Sequence, residues 1–273
     1  MLIVDSQVHI WYDSALNALH RQVRTFSKED LLREMDEAGV DAAVIHPPGV
    51  LAPGNEWAVE AATEYPDRLA ILGWIPTDDV AAGKAKLAGW KQRSGMLGLR
   101  FTFMAPYQRN WATDGSVDWL WPEAERLGLP IGFIAHTALP KLGQIAEKHP
   151  GLRLLVDHFG VAPVLKDVAA FATLPDLLKL AKYPNVGVKL SGAPSNSTDP
   201  YPYRNLHDYI HRIFDAFGPQ RCFWGTDITR MPCTWKQCIT MFTEELPWLN
   251  CRDLELVMGR ALCDWIGWKL PAK

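Results

Sequence analysis

The chain has no apolar run long enough to span a membrane, and its first residues lack the charged segment and apolar stretch of a signal peptide. Its net charge of −3 includes neither a basic stripe nor an acidic tail, so we expect no nucleic-acid or membrane partner. The five cysteines form no C-x-x-C pair, and an odd count without a signal sequence favours free thiols in a reducing compartment. The sequence therefore predicts a cytoplasmic protein.

Strand-like and helix-like segments alternate along the whole chain. Short apolar runs without alternation predict buried parallel strands, and we expect eight of them: Ile3–Val8, Ala42–His46, Ala70–Ile75, Gly98–Phe103, Pro130–Ala135, Leu152–Asp157, Val186–Leu190 and Cys222–Gly225. Helix patterns lie between them; the first opens on a capping box at Ser27 and Asp30, and two late ones run unbroken over Val168–Lys182 and Arg252–Ile266. Eight β–α units predict an α/β fold, a (β/α)8 TIM barrel that residues 1–273 form as a single domain.

An open doubly wound sheet is the alternative fold. That fold predicts a glycine-rich phosphate turn after the first strand. The chain instead reads Gln7-Val8-His9-Ile10-Trp11 there, without a glycine. The sequence therefore favours the barrel.

Reactive side chains stand where the predicted strands end, which is where TIM barrels hold their active sites. Gln7 and His9 point the same way because side chains alternate along a strand. Imidazole and carboxylate groups of His9, His136 and Asp227 can bind a zinc-like divalent ion, with Gln7 as a weak fourth ligand. Such an ion keeps one position for water and lowers the pKa of that water to about 7. Asp227 can also accept the proton of the water directly.

Other residues leave two interpretations open. Arg100 either forms a salt bridge inside the barrel or clamps a substrate carboxylate, which its planar guanidinium suits. Lys189 either pairs with a barrel carboxylate or faces the substrate. Trp11 either packs in the core or forms a wall of the substrate pocket. We interpret His46 as structural and His20 as a surface residue.

Five segments of the chain resemble the amidohydrolase superfamily, in particular its amidohydrolase-related family. They follow the predicted strands in order: Val4-Asp5-Ser6-Gln7-Val8-His9-Ile10-Trp11, Gly98-Leu99-Arg100-Phe101, Val156-Asp157-His158-Phe159-Gly160, Val188-Lys189-Leu190-Ser191-Gly192 and Trp224-Gly225-Thr226-Asp227. Within that family the chain is most similar to the sugar-acid and pyrone-dicarboxylate lactonases. The resemblance implies water attack on a lactone or related carbonyl. Asp227 would then activate water, Arg100 would hold a substrate carboxylate, and His158 would polarise the carbonyl or bind substrate.

Three positions change what the resemblance implies. Gln7 replaces the first histidine of the family's His-x-His pair, so the cofactor is either one divalent metal ion or none. His136 matches a metal ligand of the related aromatic-acid decarboxylases, in which the residue corresponding to His158 is an acid or base. Arg230 follows Asp227 where relatives have Asp-Trp-Pro, and its charge favours an anionic substrate.

Three functions remain open on the sequence. The first is hydrolysis of a lactone or related cyclic ester or amide of a small carboxylic acid. The second is metal-dependent, non-oxidative decarboxylation of an aromatic or enoic acid. The third is a catalytically silent barrel that binds a small acid. In each case the expected partner is a small anionic organic molecule, and a homo-oligomer is compatible with the sequence.

Overall fold

The structure is a computed structural model that describes residues 1–49, 51, 53–103, 108 and 110–270. In this part of the chain eight parallel strands lie side by side in sequence order, each hydrogen-bonded to the next. They are β1 (Val4–Val8), β2 (Ala42–Ile45), β3 (Leu69–Gly73), β4 (Met96–Phe101), β5 (Ile131–Phe133), β6 (Leu154–Val156), β7 (Val186–Ser191) and β8 (Cys222–Gly225). The predicted TIM barrel is confirmed.

The first and last strands meet around a buried aspartate. The backbone N–H of Asp227 donates to the carbonyl of Gln7 at 2.8 Å. The Asp5 carboxylate accepts from the N–H of Gln7 at 2.9 Å, from the N–H and hydroxyl of Thr226, and from the indole of Trp235 at 3.0 Å. Burial raises the pKa of Asp5 to about 7, although these donors oppose the rise. Asp5 thus joins β1 to the end of β8 through the hydrogen bonds that its carboxyl oxygens accept.

Helices follow most of the strands. They are α1 (Lys28–Ala38), α2 (Gly54–Glu64), α3 (Val80–Ala88), α4 (Trp111–Asp114), α5 (Leu120–Leu127), α6 (Leu139–Lys148), α7 (Asp167–Ala170), α8 (Leu174–Lys179), α9 (His207–Phe217), α10 (Trp235–Thr243), α11 (Cys251–Glu255) and α12 (Ala261–Ile266). The predicted capping box of α1 is confirmed, because Ser27 and Asp30 each bond the other's backbone N–H. None of the helices described is long and apolar enough to cross a membrane.

Two helices predicted to be continuous are broken, and each break has a physical cause. Between α7 and α8 lies a 3₁₀ turn, and Pro175 at the start of α8 has no N–H to continue the earlier helix. Between α11 and α12 a π-turn contains Gly259, where an added Cβ would lie 2.9 Å from both the Leu2 carbonyl and Val4. The chain departs from a helix there because strand β1 passes so close.

Candidate functional site

The site lies where β1, β6, β7 and β8 end. Its polar side chains are almost completely withdrawn from solvent: the exposed fractions are 0% for Gln7 and Lys189, 6% for His9, and 2% for His158 and Asp227. Such burial weakens screening, so each charge here acts strongly on its neighbours.

Asp227 is the centre of this group. Its Oδ1 lies 3.4 Å from Nε2 of His9, and its Oδ2 lies 3.7 Å from Nε2 of His158 and 3.2 Å from Nη1 of Arg230. Burial by itself would raise the pKa of Asp227, but His9, Arg230 and the other basic neighbours hold it below the usual range. Asp227 is therefore a carboxylate at neutral pH.

Backbone strain marks the same positions. Asp227 has φ +57° and His158 has φ +49°, in the left-handed region that residues other than glycine rarely adopt. Such strain persists only where surrounding contacts fix the conformation, and it concentrates at functional sites.

A chain of hydrogen bonds fixes the protonation of His9. Lys189 can only donate, so the Gln7 atom that it contacts at 3.0 Å is the amide oxygen Oε1. The Gln7 amide nitrogen then donates to Nε2 of His9 at 3.3 Å. Burial lowers the pKa of His9 to about 3, and its Nδ1 faces the carbonyl oxygen of His46. His9 is therefore neutral, with its proton on Nδ1 and a lone pair on Nε2.

Nε2 of His9 and Oδ1 of Asp227 consequently face each other across the site. The one lone pair of Nε2 accepts from Gln7, whereas within the part of the chain that the structure describes Oδ1 is buried without a hydrogen-bond donor. Buried acceptors need a partner, and a water molecule or a divalent cation supplies one to Oδ1.

A second carboxylate, that of Asp157, forms ion pairs with two cations below the site. Oδ1 of Asp157 lies 2.9 Å from Nζ of Lys189, and Oδ2 lies 2.9 Å from Nε of Arg100. Burial opposes ionisation of Asp157, but the two cations hold its pKa far below the usual range. Lys189 thus pairs with a barrel carboxylate, the first of its two predicted interpretations. Arg100 forms the predicted salt bridge through Nε, and no further hydrogen bond of its guanidinium is seen among the described residues.

His158 is also neutral. Burial lowers its pKa to about 4, although Asp227 opposes the change. Its Nδ1 lies 2.9 Å from the hydroxyl oxygen of Ser191 on β7. That contact leaves Nε2 on the side of Asp227.

His20 was wrongly predicted to be a surface residue. Its side chain is 9% exposed, and its Nδ1 lies 2.8 Å from the Thr229 hydroxyl oxygen and 3.9 Å from Oδ1 of Asp227. The N–H of Arg21 donates to the Thr229 carbonyl at 2.8 Å, which ties the segment after β1 to the turn after β8. A lone histidine in a segment without periodicity gives no sequence signal of this placement.

The structure brings together a different set of possible metal ligands from the predicted one. Among the described residues, His9, His20 and Asp227 offer ligand atoms that all lie within 4.8 Å of one another. His136 does not belong to this group; burial lowers its pKa with no contribution from a charged neighbour, and its Nδ1 is buried without a partner. The oxygen of Gln7 is engaged by Lys189.

Trp11 and His46 are both part of the interior. Trp11 is 0% exposed, donates from its indole to the Val23 carbonyl at 3.0 Å, and packs its ring against Phe26. His46 contacts the carbonyl oxygen of Ser6 at 2.9 Å and Nζ of Lys189 at 3.0 Å. Trp11 therefore packs in the core, the first of its two interpretations. The contacts of His46 agree with the structural role predicted for it.

Comparison with known proteins gives a consistent result. The sequence profile described as "Amidohydrolase" matches residues 4–270. An L-fucono-1,5-lactonase of Burkholderia ambifaria is 25% identical over 222 residues, which cover 80% of this chain and 73% of the lactonase. An amidohydrolase of Burkholderia multivorans with bound zinc superposes with a TM-score of 0.84 at 20% identity, covering 99% of this chain and 100% of the other.

A third similar protein has a small organic acid bound in its structure. A probable 2-pyrone-4,6-dicarboxylic acid hydrolase of Acinetobacter baumannii, with citric acid bound, superposes with a TM-score of 0.77 at 17% identity. The superposition covers 98% of this chain and 100% of that one. Both structural likenesses establish a shared fold.

Proposed function

We propose, from the premise that the chain belongs to the amidohydrolase family, that it hydrolyses a lactone or related cyclic ester of a small carboxylic acid. The observation that carries the proposal is the buried Asp227 carboxylate, whose Oδ1 faces His9 and has no hydrogen-bond donor among the described residues. A water molecule that donates to Oδ1 is held beside His9 with a lone pair free to attack a carbonyl carbon. The similarity to a fuconolactonase supports the same reaction class.

The proposed reaction begins with proton removal by Asp227. As the water oxygen bonds to the lactone carbonyl carbon, the carboxylate accepts a water proton and the carbonyl oxygen becomes an oxyanion. When the tetrahedral intermediate collapses, the ring C–O bond breaks and the leaving oxygen takes the proton back from Asp227. The product is an open hydroxy acid, which releases one proton to solution at neutral pH.

His158 is the proposed donor to the developing oxyanion. If the hydroxyl of Ser191 donates to Nδ1, the imidazole proton is on Nε2, where the negative potential of Asp227 favours it. A neutral imidazole N–H can stabilise an oxyanion without first exchanging its proton. The lowered pKa of His158, about 4, keeps it in this form at neutral pH.

The charge of the site favours an anionic substrate. Three cations, Arg100, Lys189 and Arg230, face two carboxylates, Asp157 and Asp227, which leaves one net positive charge. We assign the remaining amino groups of Arg100 to a substrate carboxylate or to the ring oxygens of a lactone. Arg230 contributes its charge, because its amino groups already donate to Asp227 and to the Pro163 carbonyl, each at 3.2 Å. Lys189, engaged on all sides, holds Gln7 and Asp157 rather than the substrate.

A divalent cation fits the same site, where it would take the His9 lone pair that otherwise accepts from Gln7. His9, His20 and Asp227 would hold it, because two imidazoles and one carboxylate suit a zinc-like ion. Such an ion, when bound, lowers the pKa of a water ligand. His136, the ligand expected in the decarboxylase scheme, is outside this group, so the observations favour hydrolysis over decarboxylation.

The proposed ligand set gives a direct prediction about metal affinity. His20→Asn should weaken zinc binding by about tenfold or more, whereas His136→Asn should leave it unchanged. Competition with a chromophoric chelator measures both affinities without any assay of turnover. The reverse order of the two variants would show that His136, and not His20, binds the ion.

A panel of lactones tests the proposed activity. Sugar-acid lactones, 2-pyrone-4,6-dicarboxylate and simple aliphatic lactones are supplied to the protein, and proton release is followed with a pH indicator. We expect turnover of at least one anionic or sugar-acid lactone. A protein with native circular dichroism that opens none of them, yet releases CO₂ from an aromatic acid, would instead support the decarboxylase. Tight binding of an acid without turnover, unchanged by Asp227→Asn, would support the silent barrel.

The five thiols are all free in the structure. We propose on that basis that the enzyme works in the reducing cytoplasm. Fractionation of cells that produce the native chain is the measurement that tests this location.

A further inference from the structure

Two cysteines meet at the start of α10. Thr234 is the N-cap of this helix and forms a capping box with Gln237. Cys233 is the residue before the N-cap, and Cys238 is the fourth residue of the helix. Paired apolar side chains commonly occupy these two positions and fix the direction in which the chain enters a helix. Here both are cysteines, and their sulfur atoms lie 3.5 Å apart.

The two thiols have unequal surroundings. Cys233 is partly exposed, whereas Cys238 is 3% exposed. Hydrogen bonds from Cys238 and from the Tyr203 hydroxyl lower the pKa of Cys233 to about 7. The positive end of the α10 helix dipole acts in the same direction. Cys233 is thus the nucleophilic and accessible member of the pair, and Cys238 is shielded behind it.

We propose that Cys233 and Cys238 form an oxidation site at which a hydroperoxide converts the pair into an intrachain disulfide. The thiolate of Cys233 attacks a peroxide oxygen, the O–O bond breaks, and an alcohol or water leaves. Cys238 then attacks the sulfenic acid formed on Cys233, the S–O bond breaks, and a water molecule leaves. Two thiols are oxidised by two electrons and one peroxide is reduced. The sulfur atoms must close from 3.5 Å to about 2.05 Å, the length of a disulfide bond.

The other cysteines are poor candidates for the same chemistry. Burial raises the pKa of Cys222 and of Cys263 to about 12 each, so both remain protonated thiols. Cys251 is exposed at the start of α11. It therefore serves as an internal reference for ordinary surface oxidation.

Intact-mass analysis after treatment with hydrogen peroxide tests the proposal. We expect a loss of two hydrogen atoms that dithiothreitol reverses, with peptide mapping that links Cys233 to Cys238. Cys251→Ser should behave identically. At neutral pH Cys233 should react with iodoacetamide on the order of tenfold faster than Cys251 in the same chain.

A second variant tests whether the loss of hydrogen requires both cysteines. In Cys238→Ala the disulfide cannot form, so Cys233 should gain oxygen instead of losing hydrogen. Peroxide treatment of the unaltered protein that oxidises Cys251 while both sulfurs of the pair stay free would overturn the proposal, as would a disulfide to any other cysteine. These readouts require no lactone and are independent of the proposed hydrolysis.

Discussion

Asp227→Asn is expected to lower kcat/KM for lactone hydrolysis by about 10³-fold, the range in which proton transfer by a positioned side chain contributes. The amide has the shape of the carboxylate but cannot accept a proton from water. It also removes the negative charge that pairs with Arg230. Proton release by the variant and the unaltered protein, measured at saturating and at limiting substrate, shows whether kcat is the constant that falls.

The matched control for that variant is Asp176→Asn. Asp176 is also paired with a cation, Lys179, at 2.7 Å, but the pair lies on the surface at α8. The control should hydrolyse lactones at the unaltered rate. If Asp227→Asn keeps activity within tenfold of the control while both variants are folded, another group activates the water and the proposed mechanism fails.

The sequence predicts most of the parts of this site that lie on strands. The eight apolar runs, the meeting of β1 with β8, and the neighbourhood of His9, His158 and Asp227 follow from local patterns and from one barrel rule. Pairing in a closed ring converts positions more than two hundred residues apart into neighbours. The regular succession of strand and helix segments is therefore sufficient to predict that these residues are neighbours.

The roles of His20 and Gln7 in the site could not be predicted from the sequence. His20 reaches Asp227 because the segment after β1 is tied to Thr229, a tertiary contact without a local signal. Gln7 could be recognised as the replacement of an imidazole, but its role depends on Lys189 of β7, which lies on the far side of β8. Only the assembled barrel shows that this amide sets the proton position of His9.

Lys189→Met is expected to lower the free energy of unfolding by about 3–5 kcal/mol, because it removes one partner of a fully buried ion pair. Lys189 is 0% exposed and contacts Asp157 at 2.9 Å and Gln7 at 3.0 Å. Methionine fills a similar volume, so the loss comes mainly from the Asp157 carboxylate, which loses one of its two cations, and from the orphaned amide oxygen of Gln7. Equilibrium unfolding in urea, followed by tryptophan fluorescence, measures the difference.

The control is the same substitution at Lys179, whose surface pair with Asp176 spans 2.7 Å. Because exposed ion pairs contribute little, Lys179→Met should cost less than about 1 kcal/mol. If the two substitutions cost the same, burial does not strengthen the Lys189 pair and the charge argument for the site is wrong. Adding Asp157→Asn to Lys189→Met should recover none of the loss, since the double variant leaves Arg100 without its carboxylate. Full recovery would instead show that Lys189 is kept in the barrel only to neutralise Asp157.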